Sequence, residues 1–569
     1  MLHVNGFLTS QIGYDLGDPK RALIRSHRRD YVPDGARFAV LPVAPDNTPA
    51  EPALVGDVHY WGETWNAHWW EIDFSAVEEA GEYVIVVSAP DGNALYRSES
   101  VTIGDNILWR ETVEAIALDQ MEARVRDARN GIGWKDCGAE WREANSHATT
   151  VIGLCELLSV GFQWLTAEQV ARLRAQIIHG CDYLALLQDT ATRIGAPDGA
   201  LVHEIPNHMV LIPGDTAQAV VALAHAGRLL ADTHPEKSQE YIRRAVRAMN
   251  YLILEAKPFG GLNFSALNHG APPDFQVPDE FMTRDLAMML WGCVELWAAG
   301  QTAYQRHAVR LAREVMARQV PESRAEDGLY GHFYTFAPRA DARADFTEKA
   351  NVHHHVGHDT GATFPHYIAP LLEMASRWAT HPDVPLWREC VRRFAEGYLI
   401  PACKRNPFYL LPVGYFAGKG LMSFCGPWHG INTSYGFAAA LAVACMSVSS
   451  DPALRQIAVG NLQWFCGLNA GITRKSFEGC VLWREEIPEG VALPYSQIHG
   501  VGRRWTGCWT GIRGSVPNGF DVNPQFQLVV EPDIAKDEPL LYTDEDWIPH
   551  GAGFLAGLTA LRGLKRFER

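Results

Sequence analysis

The sequence predicts a multidomain chain, with a β-sandwich over residues 1–104 and an all-α (α/α)6 toroid over residues 105–569. Two observations predict this division. Up to about residue 104, short β-branched and aromatic runs alternate with turn signals. From Asn106 onward, apolar residues recur with helical period, in paired segments separated by long connections.

Four runs in the first region have the alternation of half-buried strands. Turn signals such as GDP and PDG separate them, and their spacing of about ten residues predicts a β-sandwich. The runs are RALIRS (21–26), RFAVLPV (37–43), HWWEIDF (68–74) and GEYVIVVSA (81–89).

Twelve segments in the second region have the period of amphipathic helices. The turns within pairs are short, and Thr166 and Ser450 stand where they can cap the helix that follows. Twelve helices with long connections on one side predict six helical hairpins closed into a ring, with a cleft lined by the connections. The segments span residues 106–128, 147–164, 167–189, 215–233, 235–256, 279–299, 301–319, 362–379, 385–401, 431–449, 451–467 and 550–566.

Charge and composition exclude several classes of function. The chain has 50 Lys and Arg against 66 Asp and Glu, a formal net charge of −16, so we expect neither a nucleic-acid nor a membrane partner. The N-terminal residues lack the pattern of a signal peptide and the 11 cysteines form no CxxC pairs, which predicts a cytoplasmic protein with reduced thiols. No HExxH, P-loop or GxGxxG motif occurs, and we expect no cofactor.

Tryptophan is unusually frequent, at 18 residues. The connections over 351–367, 424–436, 496–511 and 543–551 concentrate Trp, His, Tyr and Asn. Aromatic faces stack on sugar C–H groups, and polar side chains pair with hydroxyls. We therefore interpret the tryptophan excess as the lining of a sugar cleft rather than as core. The sequence is compatible with a homo-oligomer.

An ordered set of motifs resembles the family 9 glycoside hydrolases of cellulase type. SQIGYDLGDPKRALI (10–24) resembles the first strand of the immunoglobulin-like module that precedes many of these enzymes. Along the helical region, the matching segments are DGALVHEI (198–205), GDTAQAVVALAHAGRLL (214–230), WHGINTSYGFAAALA (428–442), GSVPNG (514–519) and YTDEDWIPHGAGFLAGLTAL (542–561). The resemblance covers essentially the whole chain and implies an immunoglobulin-like sandwich joined to an (α/α)6 toroid.

The resemblance implies a glycosidase that inverts the anomeric centre. One carboxylic acid protonates the leaving oxygen, and a carboxylate roughly 6.5–9.5 Å away activates water on the opposite face. Glu545 stands at the position of the family's general acid, and Asp544 stands at the position of the Asn that precedes it. Charges on Asp544 and Asp546 would raise the pKa of Glu545, which suits a proton donor. Without the family register, Glu545 could belong to an exposed acidic turn. Long connections that close one end of the cleft would favour exo action on an oligosaccharide.

The base motif departs from the family pattern W-x-D-A-G-D. The corresponding stretch is Trp141-Arg142-Glu143-Ala144-Asn145-Ser146-His147, in which Glu143 replaces the first Asp and Ser146 replaces the second, the usual base. A serine hydroxyl cannot deprotonate water near neutral pH. Glu143 is therefore the tentative base, and Trp141, Ser146 and His147 are candidate substrate contacts.

Three accounts of this departure stay open, with unlike chemistry such as elimination on an acidic sugar behind them. In the first, Glu143 acts as the base of a hydrolase. In the second, the protein is an inverting phosphorylase, in which Ser146, His147 and either Arg142 or Arg503 bind phosphate. In the third, a catalytically retired protein binds carbohydrate without cleaving it. Glu143 could also cap the following helix or pair with Arg142.

Other polar and aromatic residues are candidate substrate contacts, with ordinary packing as the alternative reading. His499 lies where the family has a sugar-gripping P-H-H-R motif, although the spacing to Arg503 differs. The remaining candidates are Trp428, His429, Asn432, Tyr435, Arg503 and Asp544.

A histidine-rich stretch runs from His353 to Asp359 and contains residue types that ligate metals. The glycines Gly357 and Gly361 favour a loop in which these side chains line the cleft or form hydrogen bonds. We therefore expect no metal site.

Overall fold

The computed structural model describes residues 5–43, 51–138, 140, 142–207, 209–258, 280–334, 337, 368–412, 414–416, 420–424, 432–477, 480, 486–521 and 541–567. Within these ranges, no helix combines the length and the apolar character needed to cross a membrane. The ten cysteines in the same ranges are free thiols, nine of them buried.

The described residues up to Gly104 form two sheets. One sheet has the order β1-β3-β7-β6, and the other has the order β2-β10-β8-β4-β5, with β9 paired to β8. Neighbouring strands are antiparallel except for β10 and β2, which are parallel. The strands are β1 Gly6–Leu8, β2 Tyr14–Asp15, β3 Arg21–Ser26, β4 Arg37–Pro42, β5 Leu54–Asp57, β6 His59–Thr64, β7 Ala67–Asp73, β8 Gly81–Ser88, β9 Ala94–Arg97 and β10 Val101–Gly104. The four predicted strands are confirmed as β3, β4, β7 and β8.

The two sheets share one hydrophobic core. Ile24 and Ile72 come from the first sheet, and Val40 and Ile85 come from the second. Because successive side chains of a strand point to opposite faces, these residues mark the inner faces of the two sheets. The same face of the first sheet contributes Trp70, which is 2% exposed.

Helices dominate the described residues from Ile107 onward. They are α1 Ile107–Glu114, α2 Gln120–Asp127, α3 Ala144–Gly161, α4 Ala167–Arg193, α5 Pro213–Leu230, α6 Pro235–Leu254, α7 Thr283–Ala298, α8 Gln305–Met316, α9 Pro370–Arg377, α10 Val384–Phe394, α11 Ile400–Cys403, α12 Asn432–Cys445, α13 Ala453–Phe465 and α14 Ile548–Phe567. Two π-helical segments, Ala115–Asp119 and Ala395–Leu399, join α1 to α2 and α10 to α11. Each of the twelve predicted helical segments contains a helix, so this prediction is confirmed.

The helices pack as hairpins laid side by side. Helices α14, α3, α5, α7 and α9 contact one another in that order, and α12 packs against α14. Each of α3, α5, α7, α9 and α12 also packs against the helix that follows it in the chain. Two short hairpins accompany them, one from β11 Gly414–Phe416 and β12 Gly420–Met422, the other from β13 Pro517–Asp521 and β14 Leu541–Asp546.

The strand region is attached to the helical region through specific contacts. The ring of Trp65 stacks on Phe408, with centroids 5.7 Å apart and planes 7° from parallel. The Gln463 side chain on α13 donates to the carbonyl of Gly13 at 3.0 Å. These contacts extend the core of the helices onto the first sheet.

One of the two predicted helix caps is confirmed. The Thr166 hydroxyl accepts from the N–H of Gln169, whose side chain in turn accepts from the N–H of Thr166. Ser450 is not the cap of α13, because that helix begins after Pro452 and the Asp451 carboxylate accepts from its first N–H at 2.8 Å.

The interpretation of the tryptophan excess as cleft lining is wrong for most of these residues. Within the described ranges, the hydrophobic core takes twelve of them, because large apolar rings fill the space between packed layers. Eight are buried and four pack against the core: Trp69, Trp70, Trp109, Trp134, Trp291, Trp378, Trp387 and Trp464, then Trp61, Trp65, Trp164 and Trp297.

Candidate active site

The first turns of three helices lie together, and two of them contact Asp136. The N–H of Ile548, which begins α14, donates to the carbonyl of Asp136 at 3.0 Å. The Ser146 hydroxyl on α3 donates to Oδ2 of Asp136 at 2.9 Å. On α12, the N–H of Thr433 donates to Nδ1 of His550 on α14 at 3.0 Å. The first turns of α3, α12 and α14 therefore lie together.

Two further helices begin at the same end. Asp215 on α5 contacts His203, which in turn contacts Glu143 immediately before α3. A Cβ on Gly214 would lie 2.8 Å from Oδ1 of Asp285 on α7, so the first turns of α5 and α7 touch. Chemistry-bearing residues from five helices thus share one end of the helical region.

Glu545 is a partly buried carboxyl on β14, and its Oε2 accepts from the Asn518 side-chain amide at 3.0 Å. Burial is the largest cause that raises the pKa of Glu545 to about 7, the Asn518 hydrogen bond opposes the rise, and the charges of Glu143 and Asp546 add to it. Glu545 is therefore not part of an exposed acidic turn. It can hold a proton near neutral pH, as a general acid must.

The two acids that flank Glu545 have partners of their own. Asp544 is buried and accepts from the indole nitrogen of Trp509 at 2.7 Å. Asp546 is buried in an ion pair with Arg124. Burial, more than the flanking charges expected from the sequence, raises the pKa of Glu545.

Asp136 is a candidate site residue that was not among those predicted from the sequence. It is fully buried, and its Oδ2 accepts from the N–H of Glu143 at 2.8 Å as well as from Ser146. Burial and the charge of Glu143 raise the pKa of Asp136 to about 7. Because the charge of Glu143 acts on both Asp136 and Glu545, the three carboxyl groups form one electrostatic site.

A sequence signal for Asp136 was present. The pattern W-x-D-A-G-D also matches the stretch that begins at Trp134, with Asp136 in the first Asp place and Gly138 in the Gly place. Ala139 then falls at the second Asp. In either register, the usual base position lacks a carboxylate. Gly138 has a steric reason for its place, because a Cβ there would lie 2.2 Å from the Trp509 ring.

Glu143 faces a histidine that is held by a second carboxylate. Its Oε1 lies 3.6 Å from Nε2 of His203, and Nδ1 of His203 lies 2.6 Å from Oδ2 of Asp215. Burial opposes a charge on His203, but Asp215 and Glu143 outweigh it and hold the pKa of His203 well above its ordinary value. The side chain of Glu143 makes no capping hydrogen bond to α3. The Arg142 guanidinium donates to the carbonyls of Arg129 and Ile132.

Ser146 and His147 are buried on the first turn of α3. The Nδ1–H of His147 donates to the carbonyl of Glu143, and Nε2 accepts from the N–H of Trp134, each at 2.9 Å. The ring stacks on Trp134 and packs against Tyr183. Burial lowers the pKa of His147 to about 3. The ring is therefore neutral, with both nitrogens bonded to main chain.

The remaining predicted contacts are spread over several places. Asn432 donates to Gln497 and to the carbonyl of Pro517, and the buried ring of Tyr435 packs against Trp464. His499 contacts the carbonyl of Thr506 and the edge of Trp505. Arg503 pairs with Glu82 of β8 and donates to Thr102 of β10, so it joins the two regions of the chain.

Three predicted contacts, Trp141, Trp428 and His429, lie outside the described residues, as does the stretch from His353 to Asp359. Within the part of the chain that the structure describes, no group of three or more His, Cys, Asp or Glu residues could hold a metal ion.

We compared the sequence and the fold with those of known proteins. No family model matches the sequence, and no curated protein matches it either. Solved structures do match. Bacteroides ovatus GH9 has a TM-score of 0.62 at 14% identity, over 98% of this chain and 99% of that one. A metagenome-derived glycoside hydrolase family 9 endoglucanase has a TM-score of 0.60 at 16% identity, over 98% of both chains.

A thermostable endoglucanase mutant from Alicyclobacillus acidocaldarius is similar to the same degree, with a TM-score of 0.62 at 15% identity over 98% of this chain and 99% of that one. At such identities, structural likeness shows a common fold and leaves the chemistry to the site itself. The resemblance to the family 9 glycoside hydrolases is confirmed at the level of the fold, because this chain has a fold like theirs.

Proposed function

We propose that the protein hydrolyses a glycosidic bond in an oligosaccharide, with inversion and from one chain end. The observation that carries the proposal is the grouping of Glu545, Glu143 and Asp136 where five helices begin. One carboxyl of the group stays protonated to about pH 7, and another faces the charged imidazole of His203. Inverting hydrolysis needs such a division of roles between an acid and a base. The endoglucanases among the structural neighbours also favour a glycoside substrate.

Glu545 is the proposed general acid. Its carboxyl donates a proton to the leaving oxygen as the glycosidic bond breaks, and the resulting carboxylate keeps the hydrogen bond from Asn518. General acid catalysis by a positioned side chain contributes about 10²–10⁴-fold to the rate. We expect Glu545→Gln to lose about that factor in kcat.

Glu143 is the proposed base, and Asp136 fixes the main chain beside it. The positive charge of His203 favours the ionised form of Glu143, which is the form that can take a proton from water. Asp136 accepts from the N–H of Glu143 and so holds the start of α3 in place. Neither register supplies a carboxylate at the second Asp position, so Glu143, which lies beside His203, is the candidate that remains for the base.

Phosphorolysis has less support than hydrolysis. Of the proposed phosphate ligands, Ser146 already donates to Asp136 and Arg503 pairs with Glu82. His147 is neutral and bonded to main chain at both nitrogens. A group of carboxyls would repel a phosphate dianion.

The test is product release from a panel of oligosaccharides, with and without inorganic phosphate. We compare the wild type with Glu545→Gln and Glu143→Gln, and use Glu168→Gln, an exposed acid in the first turn of α4, as the matched control. Loss of hydrolysis in the first two variants alone supports the assignment, and ¹H NMR of the first-formed anomer tests inversion. Activity that survives Glu545→Gln refutes the acid, and activity that requires phosphate favours the phosphorylase. Binding without turnover favours a retired site, and mid-chain cleavage of a polymer contradicts exo action.

We also propose that the strands form an immunoglobulin-like sandwich and that the helices close into an (α/α)6 toroid. The strands end at Gly104 and the helices begin at Ile107, which supports an immunoglobulin-like sandwich over 1–104 and a toroid over 105–569. The sequence of contacts from α12 through α14, α3, α5 and α7 to α9 supports a ring of inner helices. An experimental structure in which α9 and α12 complete that ring would establish the (α/α)6 toroid.

A further inference from the structure

A chain of three hydrogen bonds ends on the carboxyl of Glu545. The N–H of Thr433 donates to Nδ1 of His550 at 3.0 Å, and Nε2 of His550 lies 2.8 Å from Oδ1 of Asn518. The Asn518 amide nitrogen lies 3.0 Å from Oε2 of Glu545. His550 is fully buried, and Thr433 and Asn518 are each 5% exposed. The chain of hydrogen bonds therefore runs through a buried part of the protein, from the first turn of α12 to the proposed acid.

The donor and the acceptor of each hydrogen bond in this chain follow from the first hydrogen bond, which Thr433 donates. A main-chain N–H can only donate, so Nδ1 of His550 must accept. Burial, together with the charge of Arg124, lowers the pKa of His550 to about 3, so the ring carries a single proton, on Nε2. That proton is donated to Oδ1 of Asn518. The amide NH₂ of Asn518 must then face Glu545.

We propose that His550 is a positioning residue for the acid: through its Nε2–H it holds the Asn518 amide with nitrogen, not oxygen, towards Glu545. An amide without this restraint has two orientations related by a half turn. In the reversed orientation, Oδ1 would accept a hydrogen bond from the neutral carboxyl of Glu545 and would repel its carboxylate. The orientation held by His550 instead stabilises the carboxylate that remains after proton transfer. The inference rests on the proposed role of Glu545 as general acid.

The other groups that act on the titration of Glu545 are not themselves changed by a substitution at position 550. Glu143, Asp546 and Cys137 also act on the titration of Glu545, and Arg124 acts on His550. Substitutions at position 550 leave these four side chains in the protein. A change in the titration of Glu545 then reports on the Asn518 amide.

The decisive comparison is between His550→Asn and His550→Gln in the full-length protein. Asn places its amide where Nδ1 was, so it keeps a partner for Thr433 but has no donor for Asn518. Gln places an amide nitrogen where Nε2 was and keeps that donor. Thr433→Val is the matched control, because it removes the hydroxyl contact with His550 and leaves the main-chain N–H. His550→Leu is a second donor-less variant in case His550→Asn does not fold.

The readout is ¹³C NMR titration of glutamate labelled at the carboxyl carbon, with the Glu545 signal identified by its absence in Glu545→Gln. We expect the pKa of Glu545 to rise by about one unit in His550→Asn and in His550→Leu, the size of one hydrogen bond to a charged group. In His550→Gln and Thr433→Val it should stay within about 0.3 units of the wild type, a change well below that of one such bond. In the same variants, the basic limb of the profile of kcat/KM against pH should move to higher pH.

Two results would overturn the inference: an unchanged Glu545 titration in a folded donor-less variant, or an equal rise in His550→Gln, which would show that ring packing alone matters. The titration needs no substrate. If it shifts as expected while the wild type cleaves no glycan, the proposed function fails and the positioning role stands. If glycans are cleaved and the titration does not shift, the positioning role fails alone.

Discussion

The guanidinium of Arg124 on α2 lies 2.6 Å from Oδ2 of Asp546 on β14, and neither side chain is exposed. Arg124 also donates to the carbonyl of Lys135 at 2.7 Å and to the hydroxyl of Ser515 at 3.0 Å. Arg124 thus ties helix α2, the segment before α3 and the strand that carries Glu545 together. Since buried charges are costly without partners, each member depends on the other.

Arg124→Met should destabilise the fold strongly. The substitution leaves the Asp546 carboxylate buried without its cation, which costs about 3–5 kcal/mol of unfolding free energy. Urea unfolding measures the loss. Arg28→Met, which breaks the exposed pair with Asp30, is the control and should change stability by less than about 1 kcal/mol. The double variant Arg124→Met/Asp546→Leu should recover much of the loss, and an equal loss in the double variant would contradict this account.

His203→Gln should change the pH dependence of the proposed reaction more than its maximum. Glutamine keeps a polar contact but removes the positive charge beside Glu143, so ionised Glu143 loses a stabilising neighbour. The acidic limb of kcat/KM should move to higher pH by about half a unit to one unit, as expected for a close charge pair. Initial rates across the pH range measure it.

Asp215→Asn provides a second measurement, because Asp215 is the partner that keeps His203 charged. Asp215→Asn should also move the acidic limb of kcat/KM to higher pH. A uniform loss of rate at all pH values in both variants would show a purely structural role for the pair.

Glu156→Gln should make the protein more stable in mildly alkaline solution. Burial and the charges of Glu295 and Glu373 raise the pKa of Glu156 from the ordinary 4.5 to about 8, against the opposing charge of Arg228. Because the folded state holds this proton more tightly than the unfolded chain, stability is full below pH 4.5 and falls as the pH rises towards 8.

Glutamine cannot ionise, so the stability of the variant should not fall with the ionisation of this side chain as the pH rises. We expect a gain on the order of 2 kcal/mol at pH 8, less than the full shift implies because the side chain is partly exposed. Thermal midpoints of both proteins at pH 5 and pH 8 measure the difference. Parallel midpoints at the two pH values would refute the raised pKa.

Gly138→Ala should disturb the site through Trp509. The new methyl group would lie 2.2 Å from the indole ring, so the ring or the main chain must move, at a cost of about 1–3 kcal/mol. Denaturant unfolding and the activity on the best substrate measure the effect. The matched control is Gly563→Ala on α14, where the nearest atom lies at 3.3 Å and alanine favours the helix.

A second substitution tests the steric cause. Trp509→Phe is smaller and should restore part of the stability in the Gly138→Ala background but lower it in the wild type, because it removes the hydrogen bond to Asp544. Equal effects in the two backgrounds would argue against a clash.

The elements of this fold could be predicted because their signals are local. Alternation in HWWEIDF and helical period in GDTAQAVVALAHAGRLL are visible within a few turns of chain, and both segments form the expected element. The tryptophan count is different. A composition cannot distinguish a ring such as Trp464, which fills the core, from one such as Trp509, which lies beside the site.

The site was predictable only in part. The ordered set of motifs predicts Glu545 and Glu143 as candidate site residues. Asp136 was overlooked because the stretches that begin at Trp134 and Trp141 both resemble the pattern W-x-D-A-G-D. A main-chain hydrogen bond from the N–H of Ile548 to the carbonyl of Asp136 holds Asp136 at the candidate site. The partners His203 and Asp215, like Asn518 and His550, are distant in sequence and meet through helix packing. Pairings of that kind leave no periodic trace in a single sequence.

The meeting of five helix beginnings also has an electrostatic consequence. Aligned peptide dipoles give each helix a macrodipole worth about half a positive charge at its N-terminus. Each time Glu545 gives up its proton in the proposed reaction, the new negative charge forms close to the positive end of α14, which begins at Ile548. The scaffold itself then assists the departure of the proton, and it does so through main-chain groups that no side-chain substitution removes.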